Sequence, residues 1–127
     1  MQGSYLFEYA VIRLVPRVER EEFLNVGIIV YCRDRNFLQA RFTLNEERIR
    51  AFCAKPDIDE VKDYLLSFEK ICKGGKDAGP IGELDIAGRF RWLTATRSTI
   101  VQLSKVHPGL CADPLEMLER LHTQLVL

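Results

Sequence analysis

The sequence has no net charge with which to attract a polyanion. Eighteen Lys and Arg residues stand against eighteen Asp and Glu in 127 residues. That balance argues against a basic coat for nucleic acid and against a polybasic membrane anchor. No apolar run approaches the roughly 20 residues that a bilayer demands, so no membrane partner is expected. The start, Met1-Gln2-Gly3-Ser4, has neither the basic cluster nor the apolar stretch of a signal peptide. A cytoplasmic location is the expectation from these absences. Cysteine is sparse and dispersed: Cys32, Cys53, Cys72 and Cys111 form no C-x-x-C pair, and only His107 and His122 are on hand to complete a zinc site. Reduced thiols and no metal are therefore expected. Phosphate-binding and dinucleotide glycine fingerprints are missing, and no cofactor is expected.

What is present is ordinary globular composition. The chain is 47% hydrophobic and 28% charged, and its length suits one domain over residues 1–127. Residues 5–14, YLFEYAVIRL, read as a strand with apolar groups on both faces, ended by Val15-Pro16. A charged connector, RVEREE, leads to a second strand over 23–32, in which Gly27 suggests a bulge or a close backbone approach. Arg33–Asn36 reads as a turn and 37–44 as a third strand, so an antiparallel meander is expected.

The period then changes. Asn45 is placed to cap a short helix, and Pro56-Asp57 starts a longer one whose apolar positions Ile58, Val61, Leu65, Phe68 and Cys72 recur at three- and four-residue steps. Gly74-Gly75 stops it. Lys76–Gly82 reads as a loop. Glu83–Leu93 reads as a helix, although Gly88 and the alternating RFRWL leave that open. Ser98–Leu103 is a fourth strand and His107-Pro108-Gly109 a turn. Asp113-Pro114 with Glu116 marks a helix start, with Leu115, Leu118, Leu121 and Leu125 as its buried stripe. The fold class expected is α+β: an antiparallel sheet of about four strands with helices packed on one side.

The charges are segregated. Residues 1–53 hold eight arginines and no lysine; residues 54–88 hold five lysines, no arginine and eight acids. Residues 89–105 hold Arg89, Arg91, Arg97 and Lys105 and no acid. Arginine suits planar, bidentate contact with carboxylate or phosphate, whereas lysine suits a solvated face.

Two stretches are too particular to be packing alone: Arg20-Glu21-Glu22-Phe23-Leu24-Asn25-Val26-Gly27; and Arg89-Phe90-Arg91-Trp92-Leu93-Thr94-Ala95-Thr96-Arg97-Ser98-Thr99, followed by Ser104, His107-Pro108-Gly109-Leu110 and Asp113-Pro114. The opening Tyr9-Ala10-Val11-Ile12-Arg13 with Val15-Pro16 joins them. Together they resemble the pattern Y-x-V-x-R-x-x-P, R-x-E-x-x-N-V-G, R-F-x-W-L-x-x-x-R-S-T, H-x-G-L-x-x-D-P of a family of small bacterial proteins grouped as a domain of unknown function. The resemblance covers nearly the whole chain. It implies a stand-alone cytoplasmic domain with no established activity, often encoded near HipA-like kinase proteins, which suggests a HipA-like kinase protein as partner. Arg17 and Lys105 stand where that pattern is variable.

Each candidate residue has a chemical and a structural reading. Arg97, followed by Ser98 and Thr99, is able to offer a guanidinium fork and hydroxyl donors to a phosphate or carboxylate; otherwise it ties a strand to Glu22 or Glu8. His107 with Ser98 or Ser104 as nucleophile and Asp113 as orienting acid would form a base-assisted site, but no glycine cradle frames either serine. Otherwise His107 is a turn residue bonded to the backbone. Asn25, depleted in strands, reads as an amide satisfying backbone groups freed by a bulge at Gly27. Trp92, flanked by Arg91 and Arg89, is either a stacking surface or the anchor of the 83–93 segment on the sheet. His122 is assigned no role.

Two functions compete on these residues. The first is a non-catalytic interaction module, binding a protein through the arginine-rich edge and residues 89–97. The second is a small enzyme or binding protein for a phosphorylated or anionic ligand, with Arg97, Ser98, Ser104 and His107 converging beside Arg13 or Arg20. A concave pocket holding those groups would favour the second; a flatter, partly apolar surface would favour the first.

Overall fold

A computed structural model describes residues 4–53, 55–95 and 99–127. Its elements are β1 (Tyr5–Leu14), β2 (Leu24–Cys32), β3 (Phe37–Phe42), α1 (Glu46–Phe52), α2 (Ile58–Lys73), α3 (Ile86–Thr94), β4 (Val101–Leu103), β5 (His107–Cys111) and α4 (Pro114–Leu125). Short 3₁₀ turns fill residues 18–20, 33–35 and 76–83. The class is α+β, and the sheet is antiparallel with five strands.

β3, β2 and β1 form the expected meander. The far edge of β1 is shared: β4 pairs with Ile12–Leu14, and β5 pairs with Tyr5–Tyr9. The expected turn at His107-Pro108-Gly109 is therefore a strand. Proline and glycine are turn formers, but β5 is an edge strand, where the missing proline N–H is tolerated.

Helices cover both faces of the sheet, not one. Ala10, Ile12, Leu14, Ile29 and Tyr31 face a core completed by Ile49 of α1, by Val61, Leu65, Phe68 and Ile71 of α2, and by Phe90 and Leu93 of α3. Phe7, Val11, Ile28, Val30 and Cys32 point the other way and meet Leu118, Leu121 and Val126 at α4. The cause lies in the strands: β1 and β2 carry large apolar residues at both parities, and each face needs a cover.

The phase of β2 slips once. Ile12 pairs with Gly27 and Arg13 with Asn25, leaving Val26 as the extra residue of a bulge. Val26 and Ile29 consequently share one core, while Ile28 enters the other. Gly27 is required there, since a Cβ would sit 2.9 Å from both Arg41 O and Phe42 Cβ.

Helix starts follow the sequence. Asn45, Asp57, Asp85 and Asp113 each accept a first-turn backbone N–H. The stripe of α4 is rotated from expectation. Pro114, Leu118, Leu121 and His122 are buried, whereas Leu115 and Leu125 are each more than a third exposed.

Candidate functional site

The candidate residues are dispersed, and most serve the fold. Ser104 repairs the sheet. It lies where β4 ends before β5 begins, and its backbone N–H donates to Val11 O at 2.9 Å. Its Oγ accepts the Val11 N–H at 2.8 Å and donates to Lys105 O at 2.9 Å. The hydroxyl thus stands in for a ladder carbonyl, which removes it as a nucleophile.

Arg89 closes α2. Its Nη1 donates to Ile71 O at 2.9 Å and Cys72 O at 2.7 Å, and its Nε to Leu84 O at 3.2 Å. A cation against the C-terminal carbonyls of a helix is favoured by both hydrogen bonding and the helix dipole. Asn25 does the same for α4, donating from Nδ2 to Leu125 O at 3.1 Å. The expectation that its amide serves the bulge is replaced by this contact to a residue 100 positions away. Arg48 adds a bond to Val126 O at 2.8 Å.

Arg13 sits over the Phe23 ring, its guanidinium carbon 3.9 Å from the centroid. Its Nε is buried without a hydrogen-bond partner, so the ring is the contact that offsets desolvation. Arg20 and Glu22 form a close exposed ion pair across Glu21, whose φ of 57° is left-handed. Glu22 thereby raises the pKa of Arg20 above its ordinary value, first by hydrogen bonding and then by charge. Glu8 pairs with Arg91 at 3.1 Å. Both acids offered to Arg97 therefore have other arginine partners. Arg97 and Ser98 themselves lie outside the described residues.

His107 is exposed on β5, with its ring centroid 5.3 Å from that of Tyr9. Asp113 is engaged as the cap of α4. No Ser–His–Asp relay exists among the described residues, because each proposed member is bonded or stacked elsewhere. His122, assigned no role from sequence, is buried on α4 and shares a 2.9 Å hydrogen bond with Thr43 Oγ1. Burial, then the charge of Arg41, lowers its pKa.

No group of three metal-ligating side chains occurs among the described residues. All four cysteines are free. Burial pushes the Cys72 thiol up to about 12 and raises that of Cys111, so neither is a ready nucleophile.

Of the concave surfaces among the described residues, two stand apart in their chemistry. One is an apolar groove of about 410 Å³ between α2 and α3. Phe68, Ile71 and Leu93 form its buried floor, and Tyr64 and Trp92, each 39% exposed, line its open side. Glu60, Asp63 and Ser67 complete the lining. Phe90, fully buried with its ring centroid 5.0 Å from that of Tyr31, anchors α3 on the sheet, and Trp92 follows at the groove. The other is a cleft of about 650 Å³ between the β1–β2 connector and the end of α1, lined by Arg17, Arg20, Glu22 and Lys55 with Pro16, Phe52 and Cys53. Sequence reasoning reached Arg20 and Glu22 through their motif, and it missed Arg17, Phe52 and Lys55. The run of arginines before residue 53 was the available signal, but it does not say that residue 55 folds back onto residue 17.

No helix among the described residues is long and apolar enough to cross a membrane. No curated protein and no solved structure matches the chain. A family model described as "Protein of unknown function (DUF3037)" matches residues 9–126, nearly all of the sequence. The chain belongs to that family.

Proposed function

We propose that this protein is a non-catalytic interaction module that seats an apolar, basic segment of a partner protein between α2 and α3. The observation that carries the reading is the groove itself. Two large aromatic side chains line it half in solvent over a buried apolar floor, an arrangement that leaves apolar area for a partner to cover. Its volume of about 410 Å³ takes a few anchoring side chains rather than a whole domain face.

The charges select the occupant. The ionised residues of the lining, Glu60 and Asp63, are both acidic. An amphipathic helix with aliphatic or aromatic anchors and Lys or Arg beside them matches both features, in the helix-in-groove mode. The family resemblance makes a HipA-like kinase protein the first partner to test. Arg89 and Arg91 contribute less to such a surface, since Arg89 is bonded to the carbonyls that end α2 and Arg91 is paired with Glu8.

The experiment is a titration of the isotope-labelled chain with a purified HipA-like kinase protein, followed by amide chemical shifts. Shifts confined to α2 and α3, weakened by Tyr64→Ala and by the double variant Glu60→Lys, Asp63→Lys, are expected. Binding that maps elsewhere, or that survives both variants unchanged, overturns the reading.

A further inference from the structure

The cleft beside the β1–β2 connector has the opposite chemistry to the groove. We infer that it binds a small organic anion, with a phosphate or carboxylate head and a flat apolar body.

Three cations and one acid line the cleft: Arg17, Arg20 and Lys55 against Glu22. Arg20 is neutralised by its pair with Glu22. Arg17 and Lys55 have no ion pair among the described residues. Residues far apart in sequence therefore bring two cations without an ion pair among the described residues to one concavity, with Glu19 acting on Arg20 from the connector and Asp57 and Asp59 on the far side of Lys55. Such a wall focuses positive potential into the cavity and favours an anion there.

The geometry around Arg20 adds to this. The left-handed Glu21 turns the chain so that Glu22 reaches the Nε of Arg20. A non-glycine residue holds that conformation at a cost, and such costs cluster at ligand sites. The pair fixes the guanidinium while its terminal Nη donors make no bond among the described residues. A guanidinium held in this way loses less entropy when it grips an anion.

The apolar part of the ligand is set by Phe52, which is 38% exposed at the cleft, and by Pro16. An exposed ring beside free cations suits an aryl phosphate or aryl carboxylate better than an inorganic ion, because the ring recovers apolar area that the ion does not. The volume of about 650 Å³ lies within the range of small-molecule sites.

The test uses the full chain and three probes: phenyl phosphate, inorganic phosphate and benzyl alcohol. Phenyl phosphate is expected to shift the amides of residues 17–22, Phe52, Cys53 and Lys55 saturably, with half-saturation below about 1 mM. Inorganic phosphate is expected to act on the same residues about tenfold more weakly, and benzyl alcohol not at all. The double variant Arg17→Gln, Lys55→Gln, whose side chains form no ion pair among the described residues, is expected to weaken phenyl phosphate at least about tenfold; Arg120→Gln, on α4, is expected to change nothing. Cys53 lines the cleft and is the one cysteine not buried. Bound phenyl phosphate should therefore slow its alkylation, a readout that a loss of surface charge alone does not produce. Unsaturable shifts, shifts scattered over the surface, equal binding by the double variant, or Cys53 alkylation unaffected at saturating phenyl phosphate would each overturn the assignment.

Discussion

Ser104→Ala isolates one atom's contribution to the sheet. The Val11 N–H lies in a central strand with its residue buried, and its acceptor is a side-chain hydroxyl at 2.8 Å. Removing that oxygen leaves a buried backbone donor without a partner, which costs about 1–3 kcal/mol. The lost bond to Lys105 O adds less, because that carbonyl can turn to water. For a chain of this size a loss of about 2 kcal/mol corresponds to a drop of roughly 6–10 °C in the melting temperature. Denaturant unfolding of Ser104→Thr against Ser104→Val separates hydroxyl from volume, since the two side chains have nearly the same shape. The threonine variant should be the more stable by about 1–3 kcal/mol. Hydrogen exchange gives the local reading: the Val11 amide should lose protection in Ser104→Ala and Ser104→Val, and keep it in Ser104→Thr. Unchanged stability with a still-protected Val11 amide in Ser104→Ala would refute the assignment of this serine to the ladder.

Further outcomes follow from the same contacts. Gly27→Ala would place a methyl 2.9 Å from Arg41 O and Phe42 Cβ, both held by the sheet, and should cost about 1–3 kcal/mol or more by urea unfolding. Arg89→Met keeps the length of the side chain but removes the donors to Ile71 O and Cys72 O. Charged hydrogen bonds of this kind contribute about 1.5–3 kcal/mol, and amides at the C-terminal end of α2 should exchange faster. His122 has its pKa lowered in the fold, by burial first and Arg41 second, with Glu119 paired to that arginine. The unfolded chain therefore binds the proton more readily. This contribution to stability should be fully present above pH of about 6.5 and decline as the pH falls below it through the lowered value, and His122→Gln should flatten that decline.

Local structure was largely legible in the sequence. The β-branched and aromatic run 5–14 is the strand it reads as, and the cap residues Asn45, Asp57 and Asp113 all start helices. These features depend on neighbours within a few residues. What escaped depends on distant partners. Residues 107–109 carry turn chemistry, and only pairing with β1 makes them a strand. The second helix layer was implied by apolar residues at both parities of β1 and β2, but which helix covers which face is settled by packing. Among the polar candidates, Ser104, Asn25 and Arg89 are distinctive because each satisfies backbone groups far along the chain, at Val11, Leu125 and Ile71. A residue type suited to catalysis or anion binding is equally suited to that service. Arg17, Phe52 and Lys55 carried no motif at all.

The groove of Tyr64, Phe68, Ile71 and Leu93 is the surface proposed to take a protein partner. The most direct measurement is the amide shift map of the full chain with a purified HipA-like kinase protein, repeated with the variant Glu60→Lys, Asp63→Lys. The account predicts perturbations centred on α2 and α3 that fade in the charge-reversed variant. Perturbations centred instead on β5 and Ser104, or a map untouched by charge reversal, would contradict it.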